Sequence, residues 1–235
     1  IFVTPEQLED EILRVVDLVD HVYKKFGFDY HVELSTRPDN AMGEKRIWDI
    51  AEKALEDALK KKGMNYKINP GDGAFYGPKI DFHPKDSLGR MWQCATVQVD
   101  FQMPERFDLN YVGEDNAQHR PVIIHRVIYG AIERFIGILV EHYNGAFPVW
   151  LSPVQMRVIS FTDRNEEAAK KIAAAFQEAD IRVDMDLRSA TVDYKIRESQ
   201  LQKLPYTIVI GDKEEQNKTL AVRGRNGKVM FGVKI

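Results

Sequence analysis

Several polar residues stand in patterns that could bind an anionic ligand. Lys79 closes a glycine-rich run that also contains Tyr76. Thr96 and Gln98 alternate with apolar residues, which predicts a strand with one polar face in an antiparallel sheet. Arg134 stands near the start of a predicted apolar helix, and its fixed fork of donors suits a phosphate chain. These residue types indicate a ligand-binding surface.

The same residues also have purely structural interpretations. The run at 71–79 lacks the Walker pattern, because Pro78 interrupts Gly-Lys and no hydroxyl residue follows, so a bare turn stays open. Arg134 could instead form an internal salt bridge with Glu133. His125 ends an apolar run, and a lone histidine there is more often a core residue than a metal ligand. The residues alone do not decide between these alternatives.

The composition bounds the class of protein. The chain has 235 residues, of which 44% are hydrophobic and 29% charged, so it is globular and neither disordered nor collagen-like. No apolar run approaches the ~18 residues of a membrane span, and no signal peptide is visible. Cys94 is the single cysteine, which excludes an internal disulfide and an all-cysteine zinc site. We expect a cytoplasmic protein without membrane partners.

Charge is spread unevenly along the chain. The net charge is −3, but residues 152–235 hold 15 Lys/Arg against 12 Asp/Glu. Residues 1–151 hold 18 against 24. A mildly basic C-terminal part permits contact with nucleic acid without requiring it.

The hydrophobic periodicity changes near residue 148, which predicts two domains, 1–147 and 152–235. The first is predicted to be an antiparallel sheet with helices behind it, and the second a small α/β domain with a largely parallel or mixed sheet. In the first, helices are predicted over 4–25, 45–61 and 129–143, and strands over 30–35, 66–68, 79–82, 91–101 and 122–127. In the second, strands are predicted over 155–161, 182–185 and 206–211, and helices over 165–179 and 191–204.

Long blocks of the sequence resemble one family in consecutive order. The blocks are LSTRP at 34–38, WD at 48–49, GAFYGPKI at 73–80, WQCATVQVDF at 92–101, YVGEDN at 111–116 and HRVIYGAIERFIGIL at 125–139. They resemble the threonyl-tRNA synthetase family of class IIa aminoacyl-tRNA synthetases, and the last two resemble its third signature motif. Past the connector, WLSPVQ at 150–155, PY at 205–206 and GDKE at 211–214 resemble the anticodon-binding domain of that class.

The resemblance implies an enzyme that activates L-threonine with ATP and Mg²⁺ to a threonyl-adenylate. The threonyl group is then transferred to tRNA(Thr), and the intact enzyme is expected to be a homodimer. Prolyl or histidyl specificity is a more distant alternative. The resemblance thus implies an α/β fold in which part of a class II antiparallel catalytic sheet precedes a small α/β anticodon-binding domain.

The resemblance also assigns roles to single residues in the catalytic part. It implies that Arg134 grips the γ-phosphate of ATP, with its charge stabilising phosphoryl chemistry, and that Thr96 and Gln93 lie near the nucleotide. Strict alternation along a strand over 92–101 nevertheless places Gln93 on the face opposite Thr96, unless a β-bulge turns it back. Tyr76 and Gln98 match positions around the amino acid.

Lys79 is close to those positions in the loop, so we group it with the catalytic residues. His125 matches one of three zinc ligands, and the zinc there holds the amino and hydroxyl groups of threonine. Valine lacks the hydroxyl and cannot complete that coordination.

In the second domain, Glu214 and Arg223 match residues that read anticodon bases. Ser189 stands where the family has an asparagine. Carboxylate, guanidinium and hydroxyl groups can all hydrogen-bond to unstacked base edges, as recognition of single-stranded RNA requires.

The chain also departs from the family pattern. The resemblance begins after the first two catalytic motifs, so the α-phosphate arginine and the other two zinc ligands, a cysteine and a histidine, are missing. One histidine cannot hold a catalytic zinc. We therefore expect a part of the enzyme, and the alternative function is a catalytically incomplete tRNA-binding module.

Overall fold

The computed structural model describes residues 1–234, which fold into two compact units. The first unit is Ile1–Ile138, and the second begins at Leu139. Each unit contains its own main sheet. Within residues 1–234, no helix has both the length and the apolar character needed to span a bilayer.

The helices of the first unit begin and end where local signals predict. They are α1 (Leu8–Phe26), α2 (Lys45–Lys61), α3 (Gln102–Arg106) and α4 (Ile132–His142), the last of which continues into the second unit. Ahead of α1, the backbone N–H of Thr4 donates to Gln7 Oε1 at 3.0 Å, as the capping-box pattern requires. Helix α1 ends at Gly27, whose φ of 73° is a left-handed conformation that glycine adopts without strain.

Six strands of the first unit form a mainly antiparallel sheet. The strands of this unit are β1 (Phe2–Val3), β2 (Tyr30–Ser35), β3 (Lys67–Asn69), β4 (Lys79–Pro84), β5 (Ala95–Asp100), β6 (Tyr111–Val112), β7 (Gln118–His119) and β8 (Val122–Val127). The sheet order is β1-β8-β5-β4-β2-β3, with only β2 and β3 parallel, and β6 and β7 form a separate ribbon. In this register Gln98 lies opposite Lys79 on one side and His125 on the other.

Helices α1 and α2 pack on one face of this sheet. The strands present fully buried apolar residues to that face, including Phe82 and Val97, and the helices contribute Ile12 and Trp48. Because side chains alternate along a strand, the intervening residues face the other way. Those residues are Lys79, Asp81, Thr96, Gln98, Asp100 and His125. The polar face is therefore fixed by the packing of the apolar one.

The second unit is an α/β layer with a five-stranded sheet. Its elements are β9 (Met156–Ser160), α5 (Glu166–Glu178), β10 (Val183–Asp186), α6 (Val192–Leu201), β11 (Tyr206–Ile210), α7 (Asp212–Asn217), β12 (Thr219–Gly224) and β13 (Val229–Lys234). The order is β10-β9-β11-β12-β13, in which the first three strands are parallel and the last two antiparallel. Val158, Ala173 and Ile208 belong to the buried core between the sheet and α5.

The segment that precedes β9 is bound to the second unit by an arginine. Arg225 donates from Nη1 to the carbonyl of Ala146 at 2.8 Å and from Nη2 to the carbonyl of Phe147 at 2.7 Å. Its Nε donates to the carbonyl of Lys203 at 2.8 Å. Burial lowers the pKa of Arg225. Three carbonyl acceptors thus compensate a partly buried guanidinium.

The predicted α/β architecture is confirmed, and β2, α2 and β8 have the predicted bounds. Strand β5 is shorter than predicted, since it begins at Ala95 rather than near Met91. The preceding residues form a turn in which the indole N–H of Trp92 donates to Asp86 Oδ2 at 2.8 Å. The short helices α3 and α7 were not predicted, because neither is long enough to show a periodic pattern.

Candidate functional site

The glycine-rich loop brings Tyr76 to the polar face of the sheet. A Cβ added to Gly77 would lie 1.9 Å from the carbonyl oxygen of Val99, so only glycine permits the loop to approach β5 this closely. The ring of Tyr76 meets the imidazole of His125 edge-on, with centroids 5.6 Å apart. Burial and, to a lesser extent, the charge of Asp100 raise the pKa of Tyr76, so its hydroxyl is a donor at neutral pH.

Gln98 ties the loop to the middle of the sheet. Its Nε2 donates to the carbonyl of Gly77 at 3.1 Å, and its side chain is buried. The carbonyl oxygen of the amide remains an acceptor on the polar face. The loop is therefore part of the surface that carries Gln98 and not a free turn.

Lys79 lies between two carboxylates. Its Nζ contacts Asp72 Oδ2 at 3.1 Å and donates to Asp81, and its side chain is only 14% exposed. Burial alone lowers the pKa of Lys79, but the hydrogen bonds and charges of Asp81 and Asp72 raise it overall. The amine is therefore a fixed positive charge at neutral pH.

Gln93 departs from strict strand alternation, because a β-bulge lies just ahead of β5. Strict alternation placed Gln93 opposite Thr96, yet Gln93 Nε2 lies 3.4 Å from Thr96 Oγ1 and 2.6 Å from Asp81 Oδ1. The physical reason is the register: Phe82 pairs with Ala95 but Lys85 pairs with Met91, so one extra residue lies between Met91 and Ala95 and breaks the alternation. The side chain of Gln93 thus lies on the same side of the sheet as that of Thr96.

Arg134 lies at the first turn of α4 and is exposed. Its Nη1 donates to the backbone carbonyl of Gln93 at 3.3 Å, and its Cζ lies 5.6 Å from the ring centroid of Trp92. No ion pair within residues 1–234 joins Arg134 to Glu133, so the internal salt bridge considered above is not formed. The guanidinium keeps donors for an anionic ligand.

His125 is held by a carboxylate on the neighbouring strand. Its Nε2 lies 2.8 Å from Asp100 Oδ2, while its side chain is 42% exposed, so it is not a core histidine. A histidine held in this way by a carboxylate presents its other nitrogen in a fixed direction, which is typical of metal-binding histidines. Within residues 1–234, however, no three His, Cys, Asp or Glu residues are arranged to hold a metal ion. His125 fits one ligand of a metal site but does not complete one.

In the second unit, the three predicted anticodon-binding residues lie in different surroundings. Ser189 is exposed after β10 and lines a cavity of about 460 Å³ with Phe161 and Lys195. Glu214 Oε2 accepts the backbone N–H of Gly211 at 3.1 Å at the start of α7.

Arg223 lies on β12 opposite Thr207, and its Nη1 donates to the carbonyl of Gly227 at 3.1 Å. Ser189 and Glu214 both follow the carboxyl ends of parallel strands, whereas Arg223 lies towards the other end of β11. No hydrogen bond within residues 1–234 joins the three residues.

Sequence reasoning missed the carboxylates that organise the first unit. Asp81 contacts Lys79, Gln93 and Thr96, and Asp100 contacts His125. A signal was available, because both aspartates share strand faces with predicted site residues. Both are almost completely buried, which sequence patterns do not reveal.

Comparison with known proteins identifies the family. Residues 1–143 match the family model described as the class II core domain of tRNA synthetases (G, H, P, S and T). Residues 151–235 match the anticodon binding domain. The first match covers more than half of the chain, so the protein belongs to the class II tRNA synthetase core family.

Two relatives with similar sequences are both named as ligases for one amino acid, threonine. The chain is 60% identical over 225 residues to the threonine–tRNA ligase of Acetivibrio thermocellus and 61% identical to that of Syntrophomonas wolfei. Each alignment covers 96% of this chain and 35% of the relative, so the chain spans about a third of these curated relatives. The predicted resemblance to threonyl-tRNA synthetases is confirmed.

Solved structures of threonyl-tRNA synthetases share the fold of this chain. The RNA binding domain of threonyl-tRNA synthetase from Cryptosporidium parvum superposes with a TM-score of 0.95 at 41% identity, covering 99% of this chain and 59% of that one. A putative threonyl-tRNA synthetase from Aeropyrum pernix gives a TM-score of 0.80 at 30% identity, covering 100% and 57%.

Proposed function

We propose that the chain acts as part of a threonine–tRNA ligase, which activates L-threonine with ATP and transfers it to tRNA(Thr). The observation that carries this proposal is the convergence of Tyr76, Lys79, Thr96 and Gln98 on one polar sheet face. Arg134 is joined to it through the backbone carbonyl of Gln93, whose side chain lies beside Thr96. The 60% identity to threonine–tRNA ligases supports the specificity for threonine.

In this proposal the residues divide into an amino-acid group and a nucleotide group. Tyr76 and Gln98 surround threonine, and Lys79 contributes a positive charge beside them. Gln93 and Thr96 contact the nucleotide, while Arg134 binds the γ-phosphate of ATP and Mg²⁺ offsets phosphate charge. Charges fixed in advance stabilise the charge that develops during adenylate formation without reorganising at that moment.

We further propose that His125 is one ligand of a zinc ion. Asp100 occupies Nε2, so Nδ1 is the nitrogen that remains for the metal. The other ligands would come from outside residues 1–234, because these residues hold no three-ligand group. Bound zinc would act as a Lewis acid toward the amino and hydroxyl groups of threonine.

For the domains, we propose 1–147 as the C-terminal part of the catalytic domain and 152–235 as the anticodon-binding domain. The extents of the two family matches, 1–143 and 151–235, support a boundary in this connector. Ser189, Glu214 and Arg223 are proposed to contact anticodon bases. The homodimer and the cytoplasmic location stay predictions.

The test is threonine-dependent ATP–pyrophosphate exchange by the full-length protein that contains this chain. We expect exchange with threonine and little with valine or proline. Arg134→Ala should lower kcat/KM for ATP by about 100-fold or more, the cost of removing one preorganised donor. Arg126→Ala is the matched control, because Arg126 precedes the same helix but lies opposite Val97, on the other face of β8. Absence of exchange, or faster exchange with proline, would refute the proposal.

A second candidate function is a tRNA-binding module that catalyses nothing. The absence of a three-ligand metal group within residues 1–234 favours it for the chain by itself. Binding of tRNA(Thr) by the 235-residue chain, without exchange, would support this function for the chain. Exchange by the full-length protein in parallel would show that the two functions belong to different lengths of the same protein.

A further inference from the structure

One buried carboxylate joins three of the proposed site residues. Asp81 Oδ1 accepts from Thr96 Oγ1 at 2.6 Å and from Gln93 Nε2 at 2.6 Å. Asp81 Oδ2 accepts from Lys79 Nζ. These donors come from β4, from β5 and from the turn between them, and Asp81 itself is 2% exposed.

The strand fixes where this carboxylate lies. Ile80 and Phe82 on either side of Asp81 are fully buried in the apolar core, so Asp81 must face the polar side. In the sheet register Asp81 stands directly opposite Thr96. A carboxylate buried to this extent is costly unless donors and a positive charge compensate it, and here three side chains do so.

The contacts extend from Asp81 to both proposed groups of the site. On one side, Lys79 belongs with the amino-acid group. On the other, Gln93 and Thr96 belong with the nucleotide group, and the backbone carbonyl of Gln93 accepts from Arg134 Nη1 at 3.3 Å. No other side chain within residues 1–234 makes hydrogen bonds to all three of Lys79, Gln93 and Thr96.

We propose that Asp81 is a positioning residue, which holds Lys79, Gln93 and Thr96 in the arrangement that presents threonine and ATP to each other. This inference rests on the proposed ligase function. The simpler alternative is that Asp81 only joins β4 to β5 and contributes stability. The two alternatives differ in what happens to Lys79 and to catalysis when the carboxylate changes but the fold survives.

The first experiment measures the reactivity of Lys79 in the 235-residue chain. Asp81→Asn keeps the shape but removes the charge, so the pKa of Lys79 should fall and its unprotonated fraction should rise. Acetylation of Lys79, measured by mass spectrometry relative to the exposed Lys213, should become about tenfold faster for a fall of one pKa unit. Asp72→Asn is the matched control, since Asp72 also contacts Lys79 but is 53% exposed, and its effect should be much smaller. Equal acetylation in Asp81→Asn and the unsubstituted chain would overturn the proposal.

The second experiment measures ATP–pyrophosphate exchange in the full-length protein, at a temperature where each variant is folded. Asp81→Asn should lower kcat by about 10- to 100-fold, as expected when reacting groups are misplaced, with smaller changes in both KM values. A lowered melting temperature with normal kcat would overturn the proposal in favour of the stabilising role.

A third variant covers the case in which Asp81→Asn does not fold. Asp81→Glu keeps the charge but moves it by one methylene, so Lys79 should react as in the unsubstituted chain while kcat still falls. Normal kcat in Asp81→Glu would overturn the proposal. If the unsubstituted full-length protein shows no exchange, the ligase function itself fails, and the acetylation of Lys79 still decides whether Asp81 holds that lysine.

Discussion

The guanidinium of Arg134 lies against the indole of Trp92, with its Cζ 5.6 Å from the ring centroid. The ring is itself fixed, because its N–H donates to Asp86 Oδ2 at 2.8 Å. Arg90 donates to the same oxygen at 2.6 Å. The hydrogen bonds from Trp92 and Arg90 hold the pKa of Asp86 well below its usual value, although burial opposes this. The turn before β5 thereby supplies a platform for an otherwise exposed arginine.

The first prediction concerns this platform. Trp92→Leu removes the π face, which is worth about 0.5–1 kcal/mol at an exposed site, so KM for ATP should rise about 2- to 5-fold in the full-length protein. Trp92→Phe is the matched control, since it loses the same N–H but keeps an aromatic face. ATP–pyrophosphate exchange at saturating threonine measures KM for ATP in both variants. Equal increases in the two variants would assign the effect to the Asp86 hydrogen bond instead.

The second prediction concerns the loop of Tyr76. Gly77→Ala forces a Cβ to within 1.9 Å of the backbone oxygen of Val99, and backbone cannot move aside as a flexible side chain can. We expect a loss of about 1–3 kcal/mol in the free energy of unfolding, measured by denaturant titration. Gly137→Ala is the control, because nothing lies within 4 Å of the added Cβ in helix α4. Gly137→Ala should stabilise the protein by about 0.5–1 kcal/mol. If the two substitutions changed the free energy of unfolding by similar amounts, the close approach at Gly77 would not require glycine.

The third prediction concerns the single cysteine. Burial raises the pKa of the Cys94 thiol to about 11, although Arg134 partly opposes this. Because the thiolate is the nucleophile, Cys94 should not react with a thiol reagent at neutral pH while the protein is folded. It should react at the rate of a free thiol in denaturant. Rapid labelling of the folded chain would show that Cys94 is accessible.

The raised pKa of Cys94 also has a consequence for stability. The unfolded state ionises its thiol near the ordinary value of 9.0, whereas the folded state keeps its proton until about 11. The contribution of the protonated Cys94 thiol to the free energy of unfolding is therefore fully present below pH 9.0 and is lost as pH rises towards 11. Cys94→Ala should reduce the slope of stability against pH in this window, measured by denaturant titration at several pH values.

Elements with local signals could be predicted from the sequence. The bounds of β2 and α2 follow from residue alternation and helical periodicity, and the capping box predicts where the first helix begins. The polar face of β5 followed from the same alternation. Where the register shifts, alternation alone could not place a side chain. Phe82 pairs with Ala95 but Lys85 pairs with Met91, so the second strand carries one extra residue in between, and Gln93 lies on the side of Thr96.

The arrangement of the site could be predicted only in part. Tyr76, Lys79, Gln98 and His125 were assigned through resemblance, but their mutual placement depends on the sheet register, which is non-local. The role of Asp81 depends on burial and on three donors from separate segments. For the same reason the sequence could not show that Arg223 lies away from Glu214 along the strands of the second unit.

The last prediction concerns anticodon recognition by Arg223. In one interpretation, Arg223 forms a surface ion pair with Glu214. Such a pair would add ~0–1 kcal/mol to the free energy of unfolding and would not contribute to tRNA recognition. Within residues 1–234 that pair is not formed, because Glu214 accepts the N–H of Gly211 and Arg223 donates to the carbonyl of Gly227. Arg223 has further guanidinium donors for a ligand.

Arg223→Ala should therefore weaken binding of tRNA(Thr) by about 1–3 kcal/mol and binding of a non-cognate tRNA much less, since a base contact carries sequence information.

Lys228→Ala is the control for this prediction. Lys228 is exposed beside Val229, the cross-strand partner of Arg223, and carries the same charge without the planar fork. If Lys228 contacts phosphate, its loss should weaken both tRNAs equally and reduce the salt slope by about 1. Fluorescence anisotropy with the whole chain over a range of salt concentrations measures both effects. Equal losses for the two tRNAs in Arg223→Ala would mean that Arg223 binds the backbone and not a base.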